Sequence, residues 1–153
     1  MQPGFIRLAE QLTEAFARDD VGSDRKSVEA ANVRSLATFY SAIATDDYEK
    51  AVQLLAADSS YAMYAGGAVP FRMAGRGVAE VEDGIRRNFG VMTIEWVDVE
   101  TLAAQGDVVV IVIRQRGHWR HNGDEFDERA MLEYRFRDGR IERYRGWMLP
   151  FAP

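Results

Sequence analysis

The amino-acid sequence predicts a single α+β domain in which helices cover one face of a curved antiparallel sheet and enclose an apolar pocket. Three observations favour this fold class. The chain has 153 residues, of which 47% are hydrophobic, which is enough for one buried core and too short for two ordinary domains. Helical spacing of apolar residues dominates up to residue 90, whereas two-residue alternation dominates from residue 91 onward. Helices followed by a run of strands are typical of α+β proteins.

The first predicted element is an amphipathic helix over residues 4–18. Its apolar side chains recur at helical spacing: Phe5, Leu8, Leu12 and Phe16. Glycine, serine and charged residues interrupt the pattern over residues 19–27, which predicts a flexible linker. The chain is therefore divided into residues 1–26, a helix and linker, and residues 27–153, the α+β domain. The helix could cap the pocket, contact a partner subunit or move freely.

Two helices are predicted next. The second helix carries one apolar stripe: Val33, Leu36, Phe39, Tyr40 and Ile43. Either Asp46 or Asp47 can cap a short third helix, because an aspartate side chain accepts hydrogen bonds from the first amides of a helix. The apolar residues of the third helix are Tyr48, Val52 and Leu55. Asp58 is predicted to end this helical region.

A strand and a fourth helix follow. Residues 59–67 alternate as a strand in which Tyr61 and Met63 share one face. The helix is indicated by apolar residues at helical spacing: Val78, Val81, Ile85 and Phe89. Gly90 is placed as its C-terminal stop, and Gly84 inside it costs up to about 1 kcal/mol relative to alanine.

Four strands are predicted after residue 91, and the turn between the last two decides which residues face the pocket. A three-residue loop over 137–139 pairs Phe136 with Arg140. The alternative is a two-residue Asp-Gly turn, which shifts the register by one and moves Arg145 and Trp147 to the inner face. We predict the three-residue loop. The inner face then carries Glu128, Ala130, Leu132, Tyr134, Phe136, Glu142, Tyr144, Gly146 and Met148.

Several segments together have a recognisable pattern: FYSAIATDDYEKAVQLLAAD, AGRGVAEVEDGIRRNF, VMTIEWVDV and FRDGRIERYR. Over residues 33–150 the chain resembles the nuclear-transport-factor-two-like superfamily, in its SnoaL-like, ketosteroid-isomerase-like and limonene-epoxide-hydrolase-like branches. The resemblance implies a cone-shaped, cystatin-like α+β fold, in which a strongly bent antiparallel sheet wraps around a long helix and encloses an apolar pocket. It implies a small hydrophobic ligand and a cofactor-free isomerase, cyclase or hydrolase. The alternative is a non-catalytic ligand-binding or dimerisation module.

The acid-base residues of these branches are replaced in this sequence. Ketosteroid isomerases use a tyrosine and two acids, and the matching positions are Phe39, Met63 and Leu132. Limonene epoxide hydrolases use a tyrosine and an asparagine with an Asp-Arg-Asp set. Tyr61 matches their tyrosine, Met63 replaces their asparagine, and Gly146 takes the last aspartate position. The middle strand offers Ile113 and Gln115, or Arg114 and Arg116 in the other register. The Asp-His pair of SnoaL-like cyclases has no match, so any catalysis must use a different set.

Polar residues predicted to converge on the apolar face are the catalytic candidates: Tyr61, Tyr144, Glu128 and Gln115. A buried phenol needs a hydrogen-bond partner, so the tyrosines either polarise a substrate carbonyl or satisfy one another through water. An apolar wall would raise the pKa of Glu128, whereas the alternative makes residues 124–128 a solvated hairpin end. The substrate-binding candidates are Phe39, Met63, Phe89, Met92, Ile94, Ile113, Leu132, Tyr134 and Met148.

Composition argues against several classes of partner. The formal charge is −5 and arginines alternate with carboxylates, which disfavours nucleic acid. The longest apolar run, over residues 108–113, is far shorter than the roughly 20 residues that cross a bilayer, so no membrane partner is expected. The chain has no cysteine, which fits a reducing compartment, and a cytoplasmic location is expected. No dinucleotide or phosphate-loop motif is present, and no cofactor is expected.

The histidines and the outer face of the last strands complete the candidates. His118 and His121 are three residues apart on a predicted strand, which sends them to opposite faces and disfavours a shared metal ion. His118 is either a general base or an exposed residue at a strand end. The arginine-rich outer face around Trp147 favours a homodimer.

Overall fold

The computed structural model describes residues 1–17, 24–65 and 73–149, without the side chains of residues 16–17 and 24–26. The helices are α1 (Pro3–Ala17), α2 (Asp24–Ala44), α3 (Tyr48–Gln53) and α4 (Val78–Gly90). The strands are β1 (Leu55–Tyr64), β2 (Ala74–Arg76), β3 (Met92–Gln105), β4 (Val108–Trp119), β5 (Glu125–Arg137) and β6 (Arg140–Leu149). They form one curved sheet in the order β2-β1-β6-β5-β4-β3, which confirms the α+β fold class. None of the described helices is long and apolar enough to cross a membrane.

The sheet contains the predicted meander and one pairing of another kind. Strands β3, β4, β5 and β6 pair in succession and are antiparallel. Strand β1 pairs with β6 in parallel, which differs from the antiparallel sheet that was predicted. A parallel pair needs a long connection between its strands, and here α4 and the whole meander provide it. Because β1 and β6 are far apart in the sequence, local sequence patterns did not indicate that they pair.

The region between α3 and β1 is partly as predicted. Asp47 caps α3, and its side chain accepts a hydrogen bond from the Lys50 amide at 3.1 Å. The strand begins at Leu55, so the predicted helical region up to Asp58 is wrong at this end. A register shift between Leu55 and Ser60 interrupts the alternation there, which explains the error. The predicted end of the strand, at residues 66–67, lies outside the described residues.

The turn between β5 and β6 is the two-residue alternative, not the predicted three-residue loop. Arg137 pairs with Arg140, and the turn consists of Asp138 and Gly139. Both turn residues have positive φ, 51° for Asp138 and 75° for Gly139. This combination is typical of the type I′ turns that match the twist of a hairpin. An Asp-Gly pair therefore decides the turn here.

A β-bulge beside this turn restores the predicted faces from Arg143 onward, whereas Ile141, and not the predicted Glu142, is buried at the start of β6. Phe136 pairs with Ile141, but the next pair joins Arg135 with Arg143. Glu142 is consequently an extra residue on β6, and it cancels the one-residue shift that the turn introduces. The buried residues of β5 are the ones predicted for the inner face: Ala130, Leu132, Tyr134 and Phe136.

Helix α1 packs on β3 and α2 and contributes to the same hydrophobic core as the rest of the chain. Its apolar stripe is buried at Phe5, Leu8 and Leu12. The division of the chain near residue 26 stays a prediction. Helix α2 already begins at Asp24, inside the predicted linker, and residues 18–23 lie outside the described part.

Gln2 joins α1 to the start of β3. Its side chain is fully buried, and its Nε2 donates to the carbonyl oxygens of Phe89 at 2.8 Å and Met92 at 3.0 Å. Its Oε1 accepts a hydrogen bond from the Ile94 amide at 2.6 Å. Since Phe89 lies in the last turn of α4 and Met92 begins β3, this glutamine fixes α1 where those two elements meet.

Candidate functional site

A small cavity lies between the inner face of the sheet and helices α1, α2 and α4. Its volume is about 40 Å³. The residues of its wall are Phe5, Tyr40, Met63, Asn88, Phe89, Met92, Ile113, Gln115, Ala130, Leu132, Tyr144 and Met148. A water molecule needs roughly 10–15 Å³ of such space, whereas drug-sized ligands occupy pockets of roughly 300–1,000 Å³. As it stands, the cavity can hold a few waters or a very small molecule.

Most of the sequence-predicted site residues meet at this cavity. Six substrate-binding candidates belong to its wall: Met63, Phe89, Met92, Ile113, Leu132 and Met148. Two catalytic candidates, Tyr144 and Gln115, also belong to it. The others lie outside the wall: Phe39, Ile94, Tyr134, Tyr61 and Glu128. Whether any of these residues binds or converts a ligand stays a prediction.

Phe39 and Ile94 were predicted to line the pocket, but they are packed elsewhere. Consecutive residues of a helix point about 100° apart, and on α2 it is Tyr40, not Phe39, that reaches the cavity. Phe39 packs edge-on against Tyr40, with ring centroids 5.5 Å apart. Ile94 is fully buried beneath α1, where it packs against Gly4. Both side chains therefore support the wall from behind.

Three tyrosine rings form a stack beside the cavity, with Tyr144 in the middle. The Tyr61 and Tyr144 rings are 5.7 Å apart and the Tyr134 and Tyr144 rings are 5.5 Å apart, each pair nearly parallel. The Tyr134 hydroxyl pairs with that of Tyr40 in a hydrogen bond. Burial raises the pKa of Tyr40, Tyr134 and Tyr144, so these phenols stay protonated and can donate. Of this hydrogen-bonded pair, Tyr40 belongs to the cavity wall and Tyr134 does not.

Tyr61 lies on the far side of Tyr144 from the cavity. It is buried against two glycines, Gly75 of β2 and Gly84 of α4. A Cβ atom at Gly75 would lie 2.7 Å from a Tyr61 ring carbon, and one at Gly84 would overlap the Tyr61 hydroxyl. The hydroxyl is thus directed at the backbone of α4, which also explains why a glycine is present inside this helix.

Gln115 and Glu128 form a polar pair at the cavity. They are opposite each other on β4 and β5, and Gln115 Nε2 donates to Glu128 Oε1 at 2.9 Å. Gln115 is 4% exposed and belongs to the wall, whereas Glu128 beside it on β5 is half-buried and does not. Burial is the main cause that raises the pKa of Glu128, and the hydrogen bond from Gln115 opposes it. Its neighbour Asp127 points outward and pairs with Arg114 at 2.7 Å.

Tyr144 connects its ring stack to the cavity through its hydroxyl. The Tyr144 Oη donates a hydrogen bond to the Met63 Sδ at 3.2 Å. A thioether sulfur is a weak acceptor, so this bond is weaker than one to a carbonyl or carboxylate oxygen. Tyr144 is thus a partly buried, protonated donor whose partner on the wall is a flexible side chain.

Four wall residues were missed: Phe5, Tyr40, Asn88 and Ala130. Phe5 was on the predicted amphipathic stripe, but nothing local could place α1 over the cavity. Tyr40 was on the stripe of α2, but Phe39 has equivalent helical spacing from Leu36 and Ile43, so the pattern favoured neither. Asn88 carried no signal in the sequence.

The histidines lie away from the cavity. His118 Nδ1 is 3.0 Å from Glu95 Oε1 at the ends of β3 and β4, and His121 is exposed in the following turn. In the described ranges, no cluster of three histidine, aspartate or glutamate side chains could hold a metal ion. His118 does not belong to the cavity wall, so it is not placed to act as a general base there.

Comparison with known proteins places the chain in a family. Residues 36–144 match the SnoaL-like domain family, which includes most of the wall but neither Phe5 nor Met148. No curated protein matches the sequence.

Solved structures resemble the whole fold. A proposed isomerase from Rhodopseudomonas palustris is 19% identical with a TM-score of 0.70, over 79% of this chain and 90% of that one. A proposed SnoaL-like polyketide cyclase from Jannaschia is 17% identical with a TM-score of 0.66, over 83% of this chain and 91% of that one. A Mycobacterium tuberculosis protein in complex with estradiol-17beta-hemisuccinate is 16% identical with a TM-score of 0.62, over 76% and 92% of the two chains.

At these identities the solved structures indicate a shared cone-shaped fold and nothing finer. The family match adds more, because it spans well over half of the 153 residues. It contains the tyrosine stack from Tyr61 to Tyr144 and both members of the Gln115–Glu128 pair. The chain belongs to the SnoaL-like domain family.

Proposed function

We propose that this protein binds a small hydrophobic carbonyl compound in its cavity and acts on it as a cofactor-free isomerase, cyclase or hydrolase. The observation that carries the proposal is the Tyr144 hydroxyl, a protonated donor on an apolar wall whose acceptor is the weak Met63 sulfur. A carbonyl oxygen is a better acceptor than sulfur, and a developing oxyanion is better still. The names of the isomerase and cyclase relatives support the same general class.

Glu128 is the proton acceptor in this proposal. Burial raises its pKa, which brings a carboxylate closer to the range where a general base works efficiently near neutral pH. Gln115, its neighbour across the strands, belongs to the cavity wall and donates a hydrogen bond to its carboxylate at 2.9 Å, so Gln115 acts as a positioning residue. Glu128 would remove a proton next to the carbonyl, directly or through one water, while Tyr144 stabilises the enolate oxygen. Return of the proton to another carbon completes an isomerisation.

Proton exchange tests this chemistry without knowledge of the natural substrate. Cyclohexanone is incubated with the protein in D₂O, and loss of its α-proton signal is followed by NMR. We expect the protein to accelerate exchange, and Tyr144→Phe and Glu128→Gln each to lower the rate about tenfold or more. Matched controls are Tyr64→Phe and Glu125→Gln, which change exposed residues of the same sheet. Exchange at the buffer rate, together with no binding of the ketone, would reject the proposal.

Tyr61 is tested in the same assay. The sequence predicts that Tyr61→Phe lowers turnover about tenfold or more, whereas the position of its hydroxyl against α4 favours a structural role. A loss as large as that of Tyr144→Phe would make Tyr61 a catalytic residue. An unchanged rate would remove it from the proposed mechanism.

A second candidate is a non-catalytic ligand-binding protein. Among the described residues, the cavity wall contains no charged side chain. The positions at which related enzymes keep acids are occupied here by Met63, Leu132 and Gly146. This candidate predicts that the ketone binds, as seen by changes in tryptophan fluorescence or ligand line width, while its α-protons exchange at the buffer rate.

A further inference from the structure

Met63 lies across a glycine on the inner face of the sheet. Met63, Gly146 and Leu132 are neighbours in one row, because Gly146 pairs with Met63 on one side and Leu132 on the other. A Cβ atom at position 146 would be 2.6 Å from the Met63 Sδ and 3.0 Å from a Leu132 methyl carbon. Both distances are shorter than ordinary van der Waals contact. The absence of a side chain at Gly146 is therefore what lets Met63 lie flat against the sheet.

The contacts that hold Met63 in this position are weak. Its sulfur accepts the Tyr144 hydroxyl at 3.2 Å, and sulfur is a poor acceptor. Methionine is unbranched and fills irregular space in several conformations, so a change of rotamer costs little. The side chain is half-buried and belongs to the cavity wall. Met63 can therefore leave Gly146 without disturbing the backbone.

Movement of Met63 would change the cavity in two ways. The present volume of about 40 Å³ is much smaller than most ligand sites. Rotation of Met63 away from Gly146 would add the space above the glycine to this volume. The same rotation would release the Tyr144 hydroxyl to bond another acceptor.

We propose that Met63 is a displaceable plug that, together with Gly146, determines the size of the ligand. In the closed position the Met63 thioether fills the space above Gly146 and holds the Tyr144 hydroxyl. A carbonyl ligand takes the place of the sulfur as the acceptor for Tyr144, and Met63 limits such ligands to small ring systems. This inference rests on the proposed binding function and names the property of the ligand that the site selects.

The contact between Met63 and Gly146 is tested first, without any ligand. Unfolding in urea is measured for the wild type, Met63→Ala, Gly146→Ala and the double variant. Because Met63 can change rotamer at little cost, we expect Gly146→Ala to lower the unfolding midpoint only slightly in the wild type, and not to lower it in Met63→Ala, where the overlapping sulfur is absent. In Met148→Ala, a matched change at the same cavity, Gly146→Ala should cost as much as in the wild type. Equal losses in all three backgrounds would overturn the role of Gly146.

Ligand size is tested with cyclohexanone, 2-decalone and testosterone, ketones of one, two and four rings, by calorimetric titration. The wild type should prefer the smaller ketones, and Met63→Ala should bind testosterone about tenfold or more tightly than the wild type does. Gly146→Ala should weaken cyclohexanone binding, and the double variant should restore it. Binding with unchanged selectivity in Met63→Ala would overturn the plug alone. No ketone binding by any of the proteins would overturn both the plug and the proposed function.

Discussion

At the scale of single residues, the tyrosines show how one residue type takes different roles. Tyr40 and Tyr134 satisfy each other inside the core, which removes the cost of burying two hydroxyls without partners. Tyr61 contributes packing against two glycines. Tyr144 alone among the stacked rings belongs to the cavity wall. The sequence could predict that these residues are buried, but the partner of each hydroxyl depends on residues far away in the chain.

Glu128 should make stability depend on pH in a specific direction. Burial raises its pKa above the ordinary value of 4.5, so the folded protein binds this proton more tightly than the unfolded chain. This group therefore makes the free energy of unfolding larger in acid, and its contribution is lost as the pH rises above that value. Replacement by glutamine removes the buried charge, so Glu128→Gln should gain stability relative to the wild type as the pH increases.

The free energy of unfolding is measured in urea for the wild type and for Glu128→Gln at about pH 4 and about pH 8. The value for Glu128→Gln minus that for the wild type should be larger at the higher pH. Glu125→Gln is the control, because its carboxylate is exposed on the same strand and should give the same difference at both values. If this difference does not change with pH for Glu128→Gln, burial does not raise the pKa of the Glu128 carboxyl.

At the scale of elements, the last hairpin shows what local pattern can and cannot decide. The predicted loop was one residue too long, and the predicted inner face of β6 is wrong at its start, where Ile141 is buried and Glu142 pairs with Arg137. The bulge at Glu142 shifts the register back, so the predicted inner face is right from Tyr144 onward. Alternation along β5 was a strong signal, since an error there would have buried Arg135 and Arg137. The Asp-Gly pair also indicated the two-residue turn, whereas the bulge had no such signal.

The helices gave a weaker prediction of the site than the strands. On α2 both Phe39 and Tyr40 are buried, so burial could not reveal which one reaches the cavity. That choice depends on the rotation of the helix against the sheet, which is set by tertiary packing. Phe5 was missed for the same reason, because the position of α1 depends on contacts with distant residues. One such contact, that of Gln2, can be tested.

Gln2→Ala should destabilise the protein through the attachment of α1. It removes the partners of two buried carbonyl groups and one buried amide, at Phe89, Met92 and Ile94. Leaving such groups unsatisfied costs about 1–3 kcal/mol each, and water entering the site recovers part of it, so we expect a loss of about 2–4 kcal/mol. Urea unfolding measures the loss, and amide hydrogen exchange should show faster opening in α1 than in the sheet. Gln53→Ala, at an exposed position, should change stability by less than about 0.5 kcal/mol.

At the scale of the whole molecule, the two faces of the sheet differ in character. Over the described residues the inner face is mostly apolar, and its polar groups include the tyrosines and the Gln115–Glu128 pair. On the outer face Glu133 binds both Arg143 and Arg145, the latter at 2.7 Å. The residue directly across the strands from Glu133 is Arg145. The outer face thus combines neutralised charges with aromatic area.

A homodimer through this outer face stays a prediction, and its aromatic patch allows a direct test. The Tyr64 and Trp147 rings stack 5.4 Å apart, and Arg145 lies over Trp147 at 5.4 Å. Tyr64 is 50% exposed, so its ring is available for contact with a second copy of the chain. A stable dimer of ordinary size buries about 800 Å² on each partner, so the interface would have to extend beyond this patch.

Light scattering after size-exclusion chromatography should therefore give twice the mass of 17.3 kDa. Tyr64→Asp places a charge in the aromatic patch and should raise the dimer dissociation constant at least about tenfold, because a buried unpaired carboxylate is costly. Val28→Asp is the matched control, since Val28 is equally exposed but lies on α2, and it should leave the mass unchanged. A monomeric wild type at millimolar concentration would exclude the dimer, and equal effects of the two substitutions would exclude this face as its interface.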